Sequence, residues 1–379
     1  MLLLKNANLY TPKHIGKSDV LVGGGKILAI DKELNLNIAD LKTYDLCGKV
    51  LTPGLIDMHV HITGGGGEAG YHSRTPEIKL SEIVKYGTTT LVGTLGTDGC
   101  TRSLENLYSK AKALEFEGIS TFIHTGSYAT PSVTFTQNIT KDLVLIDKVI
   151  GVKIALSDNR SSYPSDDELI KILTQVRIGG TISKKGGVMH IHMGGLESKL
   201  DAVFRILKHT QFPVQYFSPT HCARTKDLFD EALKFQKMGG FIDITTGGSK
   251  FAPLHEVIAY GLENGLNLDM ISMSSDGNGS VPKFNDKGEL VGYGCASCKS
   301  NLDTLQNIVK DKVLDISKAI SLMTCNPAKF LNLNFKGEIK VGYDADFAVF
   351  DENLNLYDVI AKGEFCVKDQ DVVKKGFFE

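Results

Sequence analysis

Leu55-Ile-Asp-Met-His-Val-His61 is the stretch on which the reading of this chain turns. It is an apolar run that ends in two histidines spaced two apart. Side chains alternate along a strand, so His59 and His61 share a face and can grip one ion. Seven further runs of this kind follow: Thr89–Thr97, Thr121–Tyr128, Gly151–Ser157, Val188–Met193, Val214–His221, Phe241–Thr246 and Met270–Asp276. They are continuously apolar, as parallel strands covered on both faces are. Amphipathic stretches such as Ser103–Phe116, Asp166–Arg177, Leu196–Leu207 and Leu228–Met238 lie between most of them. Eight strand-then-helix units predict an α/β chain built on a (β/α)8 TIM-like barrel. No glycine-rich dinucleotide fingerprint follows an early strand, which counts against a doubly wound open sheet.

Outside that region the pattern changes. Leu2–Leu9, Asp19–Val22 and Lys26–Ile30 read as short strands around the turn Gly23-Gly24-Gly25. Gly337–Ile339, Phe347–Phe350, Val359–Ala361 and Glu364–Val367 read the same way at the other end. The simplest organisation is a barrel over 53–333 and a small β-sandwich domain assembled from 1–52 and 334–379. A formal net charge of −2 with Lys and Arg spread along the chain argues against a nucleic-acid partner. The opening Leu run is broken by Lys5 and Asn6, too soon for a signal segment. No apolar run approaches the ~18–20 residues of a membrane span. Seven irregularly spaced cysteines do not form a disulfide framework, so a reducing cytoplasm is expected. Cys295-x-x-Cys298 has no second pair at zinc-finger spacing and reads as a structural loop.

Active sites of such barrels sit at the C-terminal ends of the strands. Polar residues recur there: His59 and His61 on the first run, Tyr128 on the third, His190 and His192 on the fifth, His221 on the sixth and Asp276 on the eighth. Imidazoles with a carboxylate suit zinc best among divalent metals. His190 and His192 share a face, and spacing alone does not choose between them. His192 lies nearer the strand end and is taken as the ligand, leaving His190 as a supporting or core residue. His124 reads as a hydrogen-bonded core histidine, and His14, His72, His209 and His255 as ordinary ones. The fourth run carries Lys153 in an apolar setting. Burial disfavours its cationic form, and a neutral amine can take up carbon dioxide to become a carbamate with two oxygens. The other outcomes open to it are to snorkel outward or to pair with an acid such as Asp158.

These residues resemble the amidohydrolase superfamily. The resemblance rests on Pro53-Gly-Leu-Ile-Asp-Met-His-Val-His61, on Asn326-Pro327-Ala328, and on Gly337-Glu-Ile-Lys-Val-Gly-Tyr-Asp-Ala-Asp346. Within it, four segments resemble the isoaspartyl (β-aspartyl) dipeptidases: Gly64-Gly-Gly-Gly-Glu-Ala-Gly70, Ser157-Asp-Asn-Arg160, His221-Cys-Ala-Arg224 and Ser274-Ser-Asp-Gly-Asn-Gly-Ser280. The resemblance implies one zinc on His59, His61 and Asp276. It implies a second on His192 and His221, with N6-carboxylated Lys153 as the bridge. It assigns substrate contacts to Glu68, Thr97, Tyr128, Arg160, Arg224 and Ser280, and implies a large homo-oligomer, an octamer. It does not extend to Val281–Tyr293, where a lid would lie.

Charge matching points the same way. A β-aspartyl dipeptide carries one ammonium and two carboxylates, and Glu68 with Arg160 and Arg224 mirrors that set. The chemistry expected is attack of a binuclear-zinc-activated hydroxide on the side-chain amide. Tyr128 would steady the oxyanion, and Asp276 would move the proton to the leaving amine. The alternative is a cyclic-amide hydrolase of the dihydroorotase or hydantoinase kind, which shares the metal site but needs no partner for an ammonium. A non-enzymatic assembly protein on the same barrel would be expected to lack metal ligands, and here the set is complete.

Overall fold

The structure, a computed structural model, describes residues 1–285 and 289–379. The first five strands are β1 (Leu2–Tyr10), β2 (His14–Gly23), β3 (Lys26–Asp31), β4 (Lys42–Asp45) and β5 (Val50–Pro53). Eight strands of the central region follow. They are β6 (Leu55–Val60), β7 (Thr88–Gly93), β8 (Ser120–Gly126), β9 (Val149–Leu156), β10 (Val188–Met193), β11 (Phe217–Thr220), β12 (Ile242–Thr245) and β13 (Ile271–Ser274). Then come the hairpin β14 (Ser280–Phe284) and β15 (Leu290–Cys295), and the C-terminal strands β16 (Phe347–Phe350), β17 (Leu356–Ala361), β18 (Glu364–Lys368) and β19 (Asp371–Val372).

The central strands are parallel and TIM-barrel-like. Strands β6 to β11 form one sheet in sequence order, and β12 pairs with β13. A parallel bridge between Val60 and Gly277 links the first strand to the end of the last. The Cys222 N–H donates to Asp243 O at 3.1 Å, linking β11 to β12. Every described position of β6, β7, β9 and β10 is buried, which explains why their sequences run apolar without alternation. Four of the helices between them start on side-chain caps: Ser103, Asn138, Ser165 and Thr225 each accept a backbone N–H of the first turn. Register matters for the site. His190 lies opposite Lys153 and His192 opposite Ala155 on neighbouring strands.

Both chain ends share one nine-stranded sheet. Antiparallel pairing of β5 with β16, from Pro53↔Phe347 to Val50↔Phe350, joins them. Leu4, Leu9, Val20, Ile27, Leu51, Phe347 and Ile360 pack on one side of it. Lys336 fastens this sheet to the central strands: its buried Nζ donates to Ser120 Oγ at 2.6 Å and to Asp346 Oδ2 at 2.5 Å.

Two expectations need correcting. Residues 337–339 are not a strand, because Gly337 takes φ +79 and is packed so tightly that a Cβ would come within 2.7 Å of Thr324 O. Ile339 is still buried, without a strand partner. The Val214–His221 run is a strand only from Phe217, since Val214–Tyr216 forms a 3-10 turn. Of the 281–293 segment, β14 and β15 form an antiparallel ladder, and residues 286–288 lie outside the described residues. None of the helices is long and apolar enough to cross a membrane among the described residues.

Candidate metal centre and active site

His59, His61, Lys153, His192 and His221 all come to one end of the strand ring and are buried, with Lys153 fully so. His221 and Asp276 sit just past β11 and β13 in left-handed backbone, at φ 61 and 53. That conformation is uncommon for side-chain-bearing residues and is typical of constrained sites. It turns both side chains out of the strand direction. Ligand atoms of His59, His221 and Asp276 lie within 4.8 Å of one another. This trio draws on both of the ligand groups that the resemblance separates. Asp276 Oδ1 is 3.2 Å from His61 Nε2 and 3.4 Å from His59 Nε2.

The donor set fits divalent cations. Asp276 Oδ1 is a buried acceptor whose nearest donors are the His61 and His59 Nε2 atoms, a carboxylate oxygen and two ring nitrogens converging as they would on a divalent cation. Burial alone would raise the Asp276 carboxyl. His61 and the Lys153 amine outweigh it and hold Asp276 below its ordinary value, in the ligating anionic form. Burial pushes His59 and His221 well below the ordinary imidazole value and His192 down to about 3. Neutral imidazoles are the form that binds metal.

Lys153 neither snorkels nor pairs with Asp158. Its Nζ lies 3.1 Å from His59 Nε2 and has no ion pair among the described residues. Burial lowers it to about 7, against the raising effect of Asp276 and Asp243. At neutral pH a large share of the amine is therefore uncharged and nucleophilic.

Hydrogen bonds around the rings select tautomers. His192 Nε2 is 2.9 Å from Asp158 Oδ2, and a carboxylate only accepts, so the ring proton is on Nε2. The lone pair on Nδ1 then accepts from the Tyr128 hydroxyl at 2.6 Å. His59 Nδ1 is 2.9 Å from His190 Nε2, and His190 Nδ1 is 3.0 Å from Ser218 Oγ. A His59 that presents its Nε2 lone pair to the site carries its proton on Nδ1, and His190 accepts it. His190 thus supports His59 from behind. His124 is a core histidine that lies against the Gly151 backbone and stacks on His190 with centroids 4.8 Å apart.

Glu68 stands on a loop that only glycine permits. Gly64 and Gly66 have φ near +90, and a Cβ on either would come within 2.4 Å of the carbonyl oxygen of Thr75 or Ser73. Glu68 Oε1 is 3.0 Å from Arg160 Nη1, and Ser280 Oγ donates to the Glu68 carboxylate at 3.1 Å. Arg160 meets Asp158 through Nε at 2.9 Å and Nη2 at 2.8 Å. Arg224 has no ion pair among the described residues, and its buried Nε has no partner. Thr97 is exposed on the loop after β7 and takes no part in this network. Cys295 and Cys298 are both free, and Cys298 is buried beside Ser275.

Sequence reasoning passed over the layer beneath. Asp243 accepts from Thr220, Ser272 and Ser274 and is raised to about 6 by burial. Asp57 accepts from Ser275 and Asn301 and is raised to about 7, again by burial. The signal that could have found Asp57 was its place in an otherwise apolar strand.

Residues 50–376 match the Amidohydrolase family, and the chain belongs to it. A crystal structure of β-aspartyl dipeptidase from Fervidobacterium islandicum AW-1, in complex with the β-Asp-Leu dipeptide, is 45% identical. It covers 99% of each chain at a TM-score of 0.92. A deacetylase of Brucella anthropi is 28% identical over 354 residues, 88% of this chain and 79% of its own. Dihydropyrimidinase from Brevibacillus agri NCHU1002 shares the fold alone, at 16% identity and a TM-score of 0.71 over 99% of this chain and 96% of its own.

The buried rings make the metal-free protein acid-labile. His59, His124, His190, His192 and His221 are all depressed in the folded state, whereas unfolded histidine titrates near ~6.5. Their contribution is intact above that value and is lost as pH falls below it. At pH 5 the five rings cost together up to roughly 10 kcal/mol. Asp57 and Asp243 are raised, so at pH 5 the folded state keeps their protons and regains roughly 4 kcal/mol. The rings win. Urea unfolding of metal-free protein should show the midpoint falling steeply between pH 6.5 and 5, and a flat midpoint would contradict the burial of neutral rings.

Proposed function

We propose that the chain hydrolyses the β-aspartyl (isoaspartyl) amide of dipeptides. The observation that carries the reading is the charge layout. One carboxylate, Glu68, and two guanidinium groups, Arg160 and Arg224, surround a buried His, Asp and Lys cluster. The similarity to a β-aspartyl dipeptidase crystallised with β-Asp-Leu supports it. We assign His59, His61 and Asp276 to one zinc and His192 and His221 to another, with Lys153, carboxylated on Nζ, between them. The reading also takes residues 53–333 as a (β/α)8 barrel, with 1–52 and 334–379 forming a small β-sandwich.

Bound zinc would supply a water of near-neutral pKa and Lewis acidity at the amide carbonyl. The chain's own residues do the rest. Glu68 receives the α-ammonium, and Ser280 holds Glu68 in place. Arg224, without an ion pair among the described residues, takes a carboxylate with its full fork. Burial keeps the Tyr128 hydroxyl protonated far above neutrality, so it donates to the carbonyl oxygen as negative charge develops. Asp276 takes the proton of the attacking water and returns it to the departing amine.

The linkage follows from this layout. A β-linked dipeptide presents its ammonium and α-carboxylate together on one side of the scissile amide. An α-linked one puts the ammonium beside the scissile carbonyl, so Glu68 and an arginine cannot serve both groups. An unpaired buried charge costs several kcal/mol, enough for at least ~100-fold. β-Asp-Leu should be cleaved at least about a hundred times more efficiently than α-Asp-Leu, dihydroorotate or a hydantoin. Glu68→Gln should lower kcat/KM for β-Asp-Leu without releasing zinc. Equal cleavage of both dipeptide isomers would sink the β-aspartyl reading and leave family membership intact.

The Lys153 bridge makes a separate expectation. Lys153→Ala should lose activity by about 100-fold or more, and short carboxylic acids should partly restore it by replacing the carbamate oxygens. Full activity in the unrescued variant would remove Lys153 from the metal centre.

A further inference from the structure

Six side chains form a continuous polar chain across the mouth of the site: Ser280, Glu68, Arg160, Asp158, His192 and Tyr128. Five of them have a role in the function proposed above. Asp158 has none, although it stands at the centre. Its carboxylate is buried and accepts four hydrogen bonds. Oδ1 takes the Arg160 backbone N–H and Nε, both at 2.9 Å, and Oδ2 takes Arg160 Nη2 at 2.8 Å and His192 Nε2 at 2.9 Å.

The backbone holds it there. Ser157 is left-handed at φ 54, and its hydroxyl donates to Leu196 O at 2.9 Å on the loop that follows His192. Gly194 packs so closely that a Cβ would come within 2.2 Å of Ser157 O and 2.4 Å of Asp158 Cβ. Two strand-end loops are thus pressed together at the point where Asp158 meets His192.

Two consequences follow from one carboxylate. An acceptor at His192 Nε2 leaves Nδ1 unprotonated, the nitrogen that the Tyr128 hydroxyl caps here and that a cation would take in its place, which is the support a ligating histidine needs. The same oxygens occupy the Nε and Nη2 edge of Arg160 and fix the guanidinium plane. Only Nη1 then reaches toward Glu68 or an incoming carboxylate. We propose that Asp158 is a positioning residue shared by both halves of the site, setting the ligating tautomer of His192 and the orientation of Arg160 together. The substrate half of this inference rests on the β-aspartyl reading, while the metal half stands without it.

The experiment compares unmodified protein, Asp158→Asn and Arg160→Gln. Zinc affinity is read by chelator competition on metal-free protein without substrate, and kcat and KM are read with β-Asp-Leu at saturating zinc. Asn keeps the shape but cannot accept from both partners. Asp158→Asn should weaken zinc by roughly 10–100-fold and also raise KM. Arg160→Gln should raise KM by about tenfold while leaving zinc affinity within about threefold. A purely structural lesion would lower the unfolding midpoint of the metal-free protein and leave the zinc affinity of the folded fraction unchanged, so the zinc scale separates the two. If Asp158→Asn does not fold, Asp158→Glu, which keeps charge and acceptors one methylene further out, is scored on the same zinc scale. Zinc bound by a folded Asp158 variant within about threefold of the unmodified affinity overturns the proposal. If β-Asp-Leu is not turned over at all, the functional reading fails and the zinc result still decides the role of Asp158.

Discussion

An amine with no ion pair among the described residues, buried at the centre of a ring of strands, is the constraint on which the site depends. Lys153 is fully buried, touches imidazoles rather than carboxylates, and is lowered to about 7. Burying a full cation there would be costly, so the surroundings favour its neutral form. The rings around it are neutral for the same reason. A set of neutral nitrogen donors with one carboxylate is unstable as a resting arrangement in acid and well suited to receiving divalent cations. The convergence of His59 Nε2 and His61 Nε2 on Asp276 Oδ1 points to the same conclusion from the geometric side.

Specificity is built around that centre from loops. Glu68 and Arg160 meet at 3.0 Å, and in the function proposed each stands in for a substrate charge. With Arg160 about one-third exposed, such a pair is worth roughly 0–1 kcal/mol, so an incoming ammonium and carboxylate can displace it at little cost. The Asp158 end of the same arginine is different. That contact is bidentate and mostly buried, so under the proposed function Arg160 would exchange Glu68 for substrate while its plane stays fixed. Arg224 has no ion pair among the described residues.

Much of this was legible in the sequence, for reasons that can be named. Strands buried on both faces leave continuous apolar runs, and β10 was bounded to the residue. His59 and His61 declared themselves by spacing, and Lys153 by its apolar neighbours. Other features were not legible. Asp158 was considered only as a partner for Lys153. What ties it to His192 is the close approach of two loops at Gly194, which no local pattern records. His190 could be separated from His192 only by its place along the strand, and its contact with His59 spans 131 positions of sequence. The short strand β5 was missed because its partner β16 comes from the far end of the chain, and β4 because it is four residues long and pairs only with β1. Gly337–Ile339 looked like a strand because burial of Ile339 mimics one.

The central claim is that this cluster of buried neutral donors is a binuclear metal centre with Lys153 between the ions. It is tested most directly by metal analysis of the metal-free protein after reconstitution with zinc and bicarbonate. The account expects two zinc ions per chain in the unmodified protein. One ion or none per chain, in protein that is folded and fully exposed to both reagents, would contradict it.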